Sequence, residues 1–421
     1  MLLKNYILCL IIKGTYKWGE ILDFIVSEFF KDYGYRQKDI EKAKVFEMIL
    51  ACKGATRKKL YLELQVRPNN VSSAVQDLID DGLVYEDVVL KSTKQGRPRI
   101  KLAVHVNKLL VIGLWIETCS LIGGLVNMAG DVIQKQEVEL SGDVDNEGFY
   151  RAVNKIVVGL IKAVEPKQEL LGIGFALPGV INKNKKIWIF NSRFPNVENL
   201  SFENLESKYG VPTKIYSKLE SVFSSYILKK KKDFCHFSTF MLHWGYGIGG
   251  AYCYNGEVMH SNYGSSCEIG HLKLPERNGK KCCCGDYDCI ETVAAGWALK
   301  PLLAKEYGNL GNDDFQFADR IENMDFSKDE YIQNAIKALA SGLNTTFRIF
   351  YPERLIVYGP FFRNEGVRKC FTEEVMKNVP FHIRNYLKII LLDEDFSKYS
   401  HLGCTNEFFD SKLKELLISA L

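Results

Sequence analysis

Four cysteines fall within eight residues, Cys282, Cys283, Cys284 and Cys289, whereas the other eight of the chain are scattered. The pattern Cys-x-Cys-Gly-x-x-x-Cys places three thiolates on one tight loop, and Gly285 permits its turn. Soft sulfur donors at this spacing suit a tetrahedral zinc ion, which needs a fourth ligand. His271 lies eleven residues before Cys282, across Pro275 and Asn278-Gly279, a stretch short enough to fold back. Three sulfurs and one imidazole make a closed structural site with no position for a catalytic water. Cys283 points away from the metal if the loop is extended there, or stands in for Cys282; the spacing leaves both open. Buried reduced thiols are the plainer alternative. The scattered cysteines, with no framework of pairs, read as reduced thiols of a cytoplasmic protein.

A second set of residues could read nucleic acid. Asn69, Asn70, Ser72, Ser73 and Gln76 would share the solvent face of one helix, where Asn and Gln can pair bidentately with adenine and Ser can hold a base edge or a phosphate. Asp77, Asp80 and Asp81 at its end must then point away from the duplex. Arg57 and Lys58, with Lys59, are placed for backbone contacts. Further on, Lys91, Lys94, Arg97, Arg99 and Lys101 surround Gly96-Arg97-Pro98 with no acidic residue between them. A narrow minor groove attracts such an arginine. The rival reading is a domain that contacts protein and carries Lys and Arg for solubility.

These residues require elements to position them. Val45, Phe46, Ile49 and Leu50 recur at helical spacing over 41–52, before Gly54. A second helix holds Leu60, Leu62 and Leu64, and Pro68 opens a third that buries Val71, Val75, Leu78 and Ile79 and stops at Gly82. Strands at 83–90 and 99–104 flank a polar turn. Helix, helix-turn-helix and two-stranded ribbon in that order make a winged helix-turn-helix over 39–104, preceded by an extension, 1–38, with a helix near Trp18–Phe30. From 105 to 421 the pattern is α/β. Strands are expected at 110–116, 119–126, 132–140, 171–176, 240–244, 251–254, 354–358 and 388–392, and helices at 148–164, 291–307, 330–350 and 365–377. The run Lys229 to Lys232 reads as a solvated helix end.

Composition agrees. The 421 residues are 47% hydrophobic and 25% charged, enough for two or three folding units. The net charge of +4 resides in residues 41–104, with twelve Lys/Arg against eight Asp/Glu. The apolar run Tyr6–Ile12 is far short of the roughly 20 residues of a membrane span, so no membrane partner is expected.

Taken together, Glu268-Ile269-Gly270-His271, Cys282-x-Cys284-Gly285-x-x-Asp288-Cys289-Ile290-Glu291, Gly245 to Gly250, Leu177-Pro178-Gly179 and Gly96-Arg97-Pro98 resemble the ROK family of sugar-responsive repressors and sugar kinases. The likeness runs from about Val45 to the C-terminus, and the histidine–cysteine stretch is its most specific part. It implies a two-lobed, actin-like, ribonuclease-H-like ATPase fold, zinc on His271, Cys282, Cys284 and Cys289, and a sugar site between the lobes using Glu268, His271 and Glu291, with Asn191 a further candidate. Asp288 departs from the glycine usual before the last cysteine, which strains the loop.

Kinases of the family pattern keep an acidic, glycine-rich first β-turn and an Asn-Asp pair whose carboxylate is the base. Here the turn reads Gly113-Leu-Trp-Ile-Glu-Thr-Cys-Ser120, with Trp115 in the aspartate position and Glu117 and Thr118 replacing glycines. The pair becomes Ser217-Lys218, and an ammonium with an ordinary pKa near 10.4 is no base at neutral pH. The expected protein is therefore not an enzyme but a repressor of carbohydrate genes. It would bind a double-stranded DNA operator as a homodimer or homotetramer and answer to a sugar or sugar phosphate, with Lys218 suited to an acidic one. The alternatives are a ROK sugar kinase with an altered site and a regulator whose effector is a protein.

Overall fold

The computed structural model describes residues 35–90, 99–229, 237–261, 267–311, 313–392 and 399–418. The expected helix near Trp18–Phe30, the turn that holds Lys91, Lys94 and Arg97, and Lys230 to Lys232 lie outside them.

Helix α1 (Gln37–Ala51) buries Ala43, Val45, Phe46 and Ile49 along one face. After a two-residue strand, β1 (Ala55–Thr56), the Thr56 hydroxyl accepts from the Lys59 amide at 3.2 Å and so caps α2 (Arg57–Leu64). Pro68 occupies the first turn of α3 (Pro68–Asp80), where its missing N–H costs nothing. Gly82, at φ +64, ends the segment in a left-handed turn. Strands β2 (Val84–Leu90) and β3 (Arg99–Val104) pair antiparallel from Val84↔Val104 to Leu90↔Arg99, and β1 adds to the far side of β3.

The rest forms two lobes built on one plan. In the first, β4 (Leu109–Glu117), β5 (Ser120–Asn127) and β6 (Val132–Glu139) form an antiparallel meander. Helix α4 (Asn146–Ile161) then crosses to β7 (Glu169–Leu177), parallel to β4. The chain passes through a small sheet, β8 (Val180–Asn182), β9 (Ile187–Phe190) and β10 (Leu200–Ser201), and a short helix α5 (Leu205–Tyr209) before β11 (Thr213–Ser217). Helix α6 (Lys218–Lys229) leads to the second lobe, whose strands are β12 (Thr239–Trp244), β13 (Ile248–Tyr254), β14 (Glu257–Val258), β15 (Arg354–Tyr358) and β16 (Lys388–Leu391). The two sheets run β11-β7-β4-β5-β6 and β14-β13-β12-β15-β16. Counted from the first strand of each lobe, both therefore have the order 3-2-1-4-5, in keeping with the two lobes that the resemblance implied.

Helices α7 (Glu291–Ala294), α8 (Gly296–Tyr307), α9 (Asp314–Ile321), α10 (Glu330–Phe350) and α11 (Glu365–Asn378) belong to the second lobe. The single helix expected over 291–307 is in fact two. The Gly296 amide donates to the Gly245 carbonyl at 2.8 Å and the Trp297 amide to Tyr246 at 3.1 Å. Ala295 is consequently extended (ψ 149), and the glycine loop captures amides that a continuous helix would have used internally.

Helix α12 (Ser400–Leu417) returns to the first lobe and lies on β4, β7 and α6. Its approach depends on glycine: a Cβ at Gly174 would collide with the Cys404 carbonyl, one at Gly172 with the Phe408 ring, and one at Gly403 with the Ser221 backbone. The far half of α12 contributes Phe408, Phe409, Leu413 and Leu417 to the same buried cluster as Phe46, Ile49, Val75 and Leu78 of the N-terminal helices. Each such side chain stabilises by about 1.5–3 kcal/mol. Lys42 of α1 adds a polar tie, donating to the Leu416 carbonyl at 2.9 Å near the end of α12.

Gly174→Ala should therefore destabilise the chain by about 1–3 kcal/mol through the forced displacement of α12. Gly142→Ala, whose Cβ meets nothing, serves as control. Urea unfolding measures both, and equal midpoints would show that α12 can shift at no cost.

Candidate ligand cleft, metal cluster and nucleic-acid face

His271, Cys282, Cys284 and Cys289 each offer a donor atom, all within 4.8 Å of one another. A short 3-10 turn, Ile269–His271, presents the imidazole, whose Nδ1 is 3.6 Å from the Cys282 sulfur; Cys284 and Cys289 are 3.8 Å apart. Gly285 is left-handed at φ +91, as its position requires. Asp288, where the family favours glycine, is also left-handed at φ +62. Its carboxylate offsets the strain by accepting from the Asn278 and Gly279 amides at 2.9 and 2.7 Å.

The donor chemistry fits a tetrahedral cation. Hydrogen bonds from Cys283 and then His271 hold the Cys282 thiol down to about 3, while burial and the neighbouring Cys282 push Cys289 up to about 12. Thiols this crowded ionise at one another's expense, and a divalent ion removes that conflict. Cys283 is outside the four-donor group; its sulfur is 3.5 Å from Glu291 Oε2, on the cleft side.

The cleft between the lobes is a cavity of about 490 Å³, of a size suited to a small molecule. All four residues expected to hold a ligand line it. His271 joins the cluster to the cavity, since its Nε2 is 3.8 Å from Glu268 Oε2 while Nδ1 faces Cys282. Glu291 is buried and already committed, with Oε1 accepting from the Ile248 amide at 2.7 Å and Oε2 from the Trp297 indole at 3.1 Å. Asn191 shapes its own loop: its Oδ1 accepts from the Arg193 and Phe194 amides at 3.1 and 2.7 Å.

Of the replaced residues, Glu117, Thr118, Ser217 and Lys218 line the cavity, whereas Trp115 does not. The Trp115 ring is buried against His401, with centroids 5.3 Å apart, and its N–H donates to Glu117 at 2.9 Å. Lys218 opens α6 at the cavity wall and donates to the Ile116 carbonyl at 2.7 Å. Sequence reasoning missed one group that spans the cleft. Arg193 of the first lobe lies 4.3 Å over the Tyr246 ring and 3.2 Å from Asp314 of the second, which Lys300 also meets at 3.0 Å. Burial would raise the pKa of Asp314, but Lys300 and Arg193 outweigh it and keep the carboxyl below its usual range. No spacing links residues so far apart in the chain.

On α3, Asn69, Asn70, Ser72, Ser73 and Gln76 are all exposed. Asn70 donates to Glu41 at 2.9 Å, Gln76 to Asp80 at 2.8 Å, and the Ser72 hydroxyl to the Pro68 carbonyl at 3.0 Å. Asp77 and Asp81 turn toward α1, paired with Lys38 at 2.9 Å and Lys42 at 2.7 Å, which directs two of the three acids away from the polar face. Lys58 is exposed, whereas Arg57 reaches Glu86 on β2 at 2.9 Å. Arg99 begins the described part of the ribbon; Lys94 and Arg97 lie outside the described residues.

The ROK family profile matches residues 116–400. A xylose repressor of Bacillus spizizenii is 25% identical over 323 residues, covering 76% of this chain and 82% of its own. Among solved structures, a ROK family transcriptional regulator, a homologue of the Escherichia coli Mlc protein, has a TM-score of 0.68 at 18% identity, covering 90% of this chain and 98% of that one. A ROK family glucokinase from Streptomyces griseus, in complex with glucose and AMPPNP, covers 71% of this chain and 98% of its own with a TM-score of 0.54 at 19% identity. The regulator's likeness thus extends over a further fifth of the chain, beyond what the two lobes alone supply.

Elemental analysis of the purified chain should find one tightly held metal ion. Cys289→Ser should lose it and Cys283→Ser should keep it. The reverse pattern would put Cys283 in the coordination sphere.

Proposed function

The chain belongs to the ROK family, and from that premise we propose that it is a DNA-binding transcriptional repressor of carbohydrate genes, whose cleft takes a sugar or sugar derivative. One observation carries the reading: the helix that offers Asn69 and Ser73 to solvent shares its buried core with α12, and α12 is seated on the lobe that walls the cleft. DNA reading and ligand binding are thereby mechanically joined. A ligand that favours one arrangement of the lobes changes the stability of the other in proportion to its differential affinity. The supporting contacts run from Lys218 at the cavity, along α6, across the Ser221–Gly403 backbone approach, to α12 and α1.

In this reading residues 39–104 are a winged helix-turn-helix and 105–421 the two-lobed sensor, with 1–38 an extension. Arg57, Lys58, Lys94, Arg97 and Arg99 supply charge toward phosphates or the minor groove, and Asn69, Asn70, Ser72, Ser73 and Gln76 face the bases. Asn69 and Ser73 lead, because Asn70, Gln76 and Ser72 already donate to protein oxygens. Zinc on His271, Cys282, Cys284 and Cys289 has a structural role, fixing the imidazole whose other nitrogen faces the cleft. Glu268, His271, Glu291 and Asn191 surround the sugar. A symmetric operator calls for a homodimer or homotetramer. A cytoplasmic location accords with operator binding, and no helix of the described residues is long and apolar enough to cross a membrane.

Phosphoryl transfer is disfavoured by what occupies the kinase positions. The indole of Trp115 fills space beside the first turn, and Lys218 stands where the family base would be.

Gel-shift or anisotropy titration against the DNA upstream of the chain's own gene should show sequence-dependent, salt-sensitive binding. Asn69→Ala should cost about 1–3 kcal/mol on the operator alone, while Lys58→Ala weakens all DNA alike and lowers the salt slope by about one. Binding indifferent to sequence in the wild type would overturn the proposal.

A further inference from the structure

Resting on the reading of a symmetric assembly, we infer that two copies of this chain join edge to edge through β6, antiparallel about a two-fold axis at Gln136, so that their first-lobe sheets become one. Strand β6 (Val132–Glu139) is the outermost of its sheet and, at eight residues, the longest edge strand among the described residues. An open edge presents unpaired amides and carbonyls to any strand that can match it. Chains ordinarily blunt such edges by shortening them, by proline, by a bulge or by a covering element. Among the described residues none of these protects β6. Its sequence holds no proline, its one register shift falls at its start, opposite Leu125 and Val126, and no described strand pairs with its outer side.

The direction of its backbone groups follows from its neighbour. The Leu140 amide, just beyond β6, donates to the Cys119 carbonyl beside β5 at 2.6 Å. Backbone groups alternate along a strand, so Val138, Gln136 and Gln134 also bond toward β5, while Glu139, Glu137, Lys135 and Ile133 direct theirs outward. The side chains of those four are all exposed. Only outward-directed residues can exchange hydrogen bonds with a second copy. With the axis at Gln136, Lys135 lies opposite the partner's Glu137, Glu137 opposite the partner's Lys135, and Ile133 opposite the partner's Glu139. Sliding the pairing by two residues sets either Lys135 against the partner's Lys135 or Glu137 against the partner's Glu137, and like charges directly opposite are destabilising. The edge is therefore self-complementary in one register.

A lysine on an edge strand ordinarily repels a partner. Here Glu137, two residues on, carries the matching charge. The pair they form within one strand, at 3.3 Å with both groups about half exposed, is weak, and it exchanges for two pairs between copies. Such a contact is isologous and closes at two, which is the symmetry that a palindromic operator requires.

Sedimentation equilibrium of the full-length protein tests the inference, with operator binding measured on the same preparations. The wild type should associate reversibly as a dimer or as a tetramer of such dimers. Lys135→Glu should weaken the dimer contact by about ten- to hundredfold, and Lys135→Glu combined with Glu137→Lys should restore it, a rescue that mere damage to the surface does not allow. Under mild oxidation Gln136→Cys should cross-link two copies through position 136, because directly opposed residues of a non-hydrogen-bonded pair have Cα atoms about 4.5 Å apart, within disulfide reach. Gln134→Cys, displaced along the strand from its own counterpart, should not. Association that the charge variants leave unchanged, or cross-linking in Gln134→Cys but not in Gln136→Cys, overturns the inference and leaves a symmetric assembly standing on another surface. A wild type that is monomeric at every concentration overturns both, and sequence-dependent operator binding by that monomer would show that the DNA reading survives.

Discussion

The architecture depends on how closely α12 can approach the first lobe's sheet. Gly172 and Gly174 on β7 leave no side chain between strand and helix, so the α12 backbone packs directly on the sheet, and Gly403 brings it equally close to α6. Any Cβ at these positions would hold the helix off. With the helix seated, its distal apolar residues reach past the lobe and complete a core that α1 and α3 cannot close alone, because three short helices and a ribbon bury too little surface. The segment that offers polar residues to solvent is therefore not a bead on a string. It is an extension of the sensor's own hydrophobic interior.

A comparable economy of contacts governs the cleft. The cysteine loop meets His271 at one ring nitrogen and leaves the other toward Glu268, so the cluster orients a group that lines the cleft. The first turn of the first lobe departs from the kinase pattern by substitution. Trp115 packs on His401 and hydrogen-bonds Glu117, converting a turn that would accommodate phosphate into a packed surface. Arg193, Tyr246, Asp314 and Lys300 tie the two lobes across the gap. Any opening or closing of the cleft would have to remake these contacts.

Much of this was legible in the chain. The alternating and β-branched runs of β4, β5, β12 and β15 locate both sheets, and the cysteine spacing picks out three of the four donors that the fold brings within 4.8 Å of one another. What escaped follows a common physical cause. Helix α12 buries Ser400, His401, Cys404 and Thr405, and α6 buries Glu220, Ser221 and Ser225. Small or polar residues at buried positions interrupt the apolar stripe on which helix recognition depends; Cys404, Thr405 and Ser221 sit against Gly113, Gly174 or Gly403, and Glu220 is held by Lys183 and His260. The break at Ala295 was invisible for a different reason: the acceptors that interrupt the helix, Gly245 and Tyr246, are about fifty residues distant. The cross-lobe pairing of Arg193 with Asp314 is more remote still, since nothing local marks either residue as the other's partner.

The account's central claim is that cleft and DNA-reading helix are coupled through α12, and thermodynamic reciprocity tests it most directly. The affinity of the sugar ligand is measured by calorimetry with and without saturating operator, and that of operator with and without saturating ligand. A coupled repressor must show the same factor in both directions, with ligand and operator each weakening the other by about 5–150-fold. Affinities unchanged by the second partner would contradict the account, however tightly each binds alone.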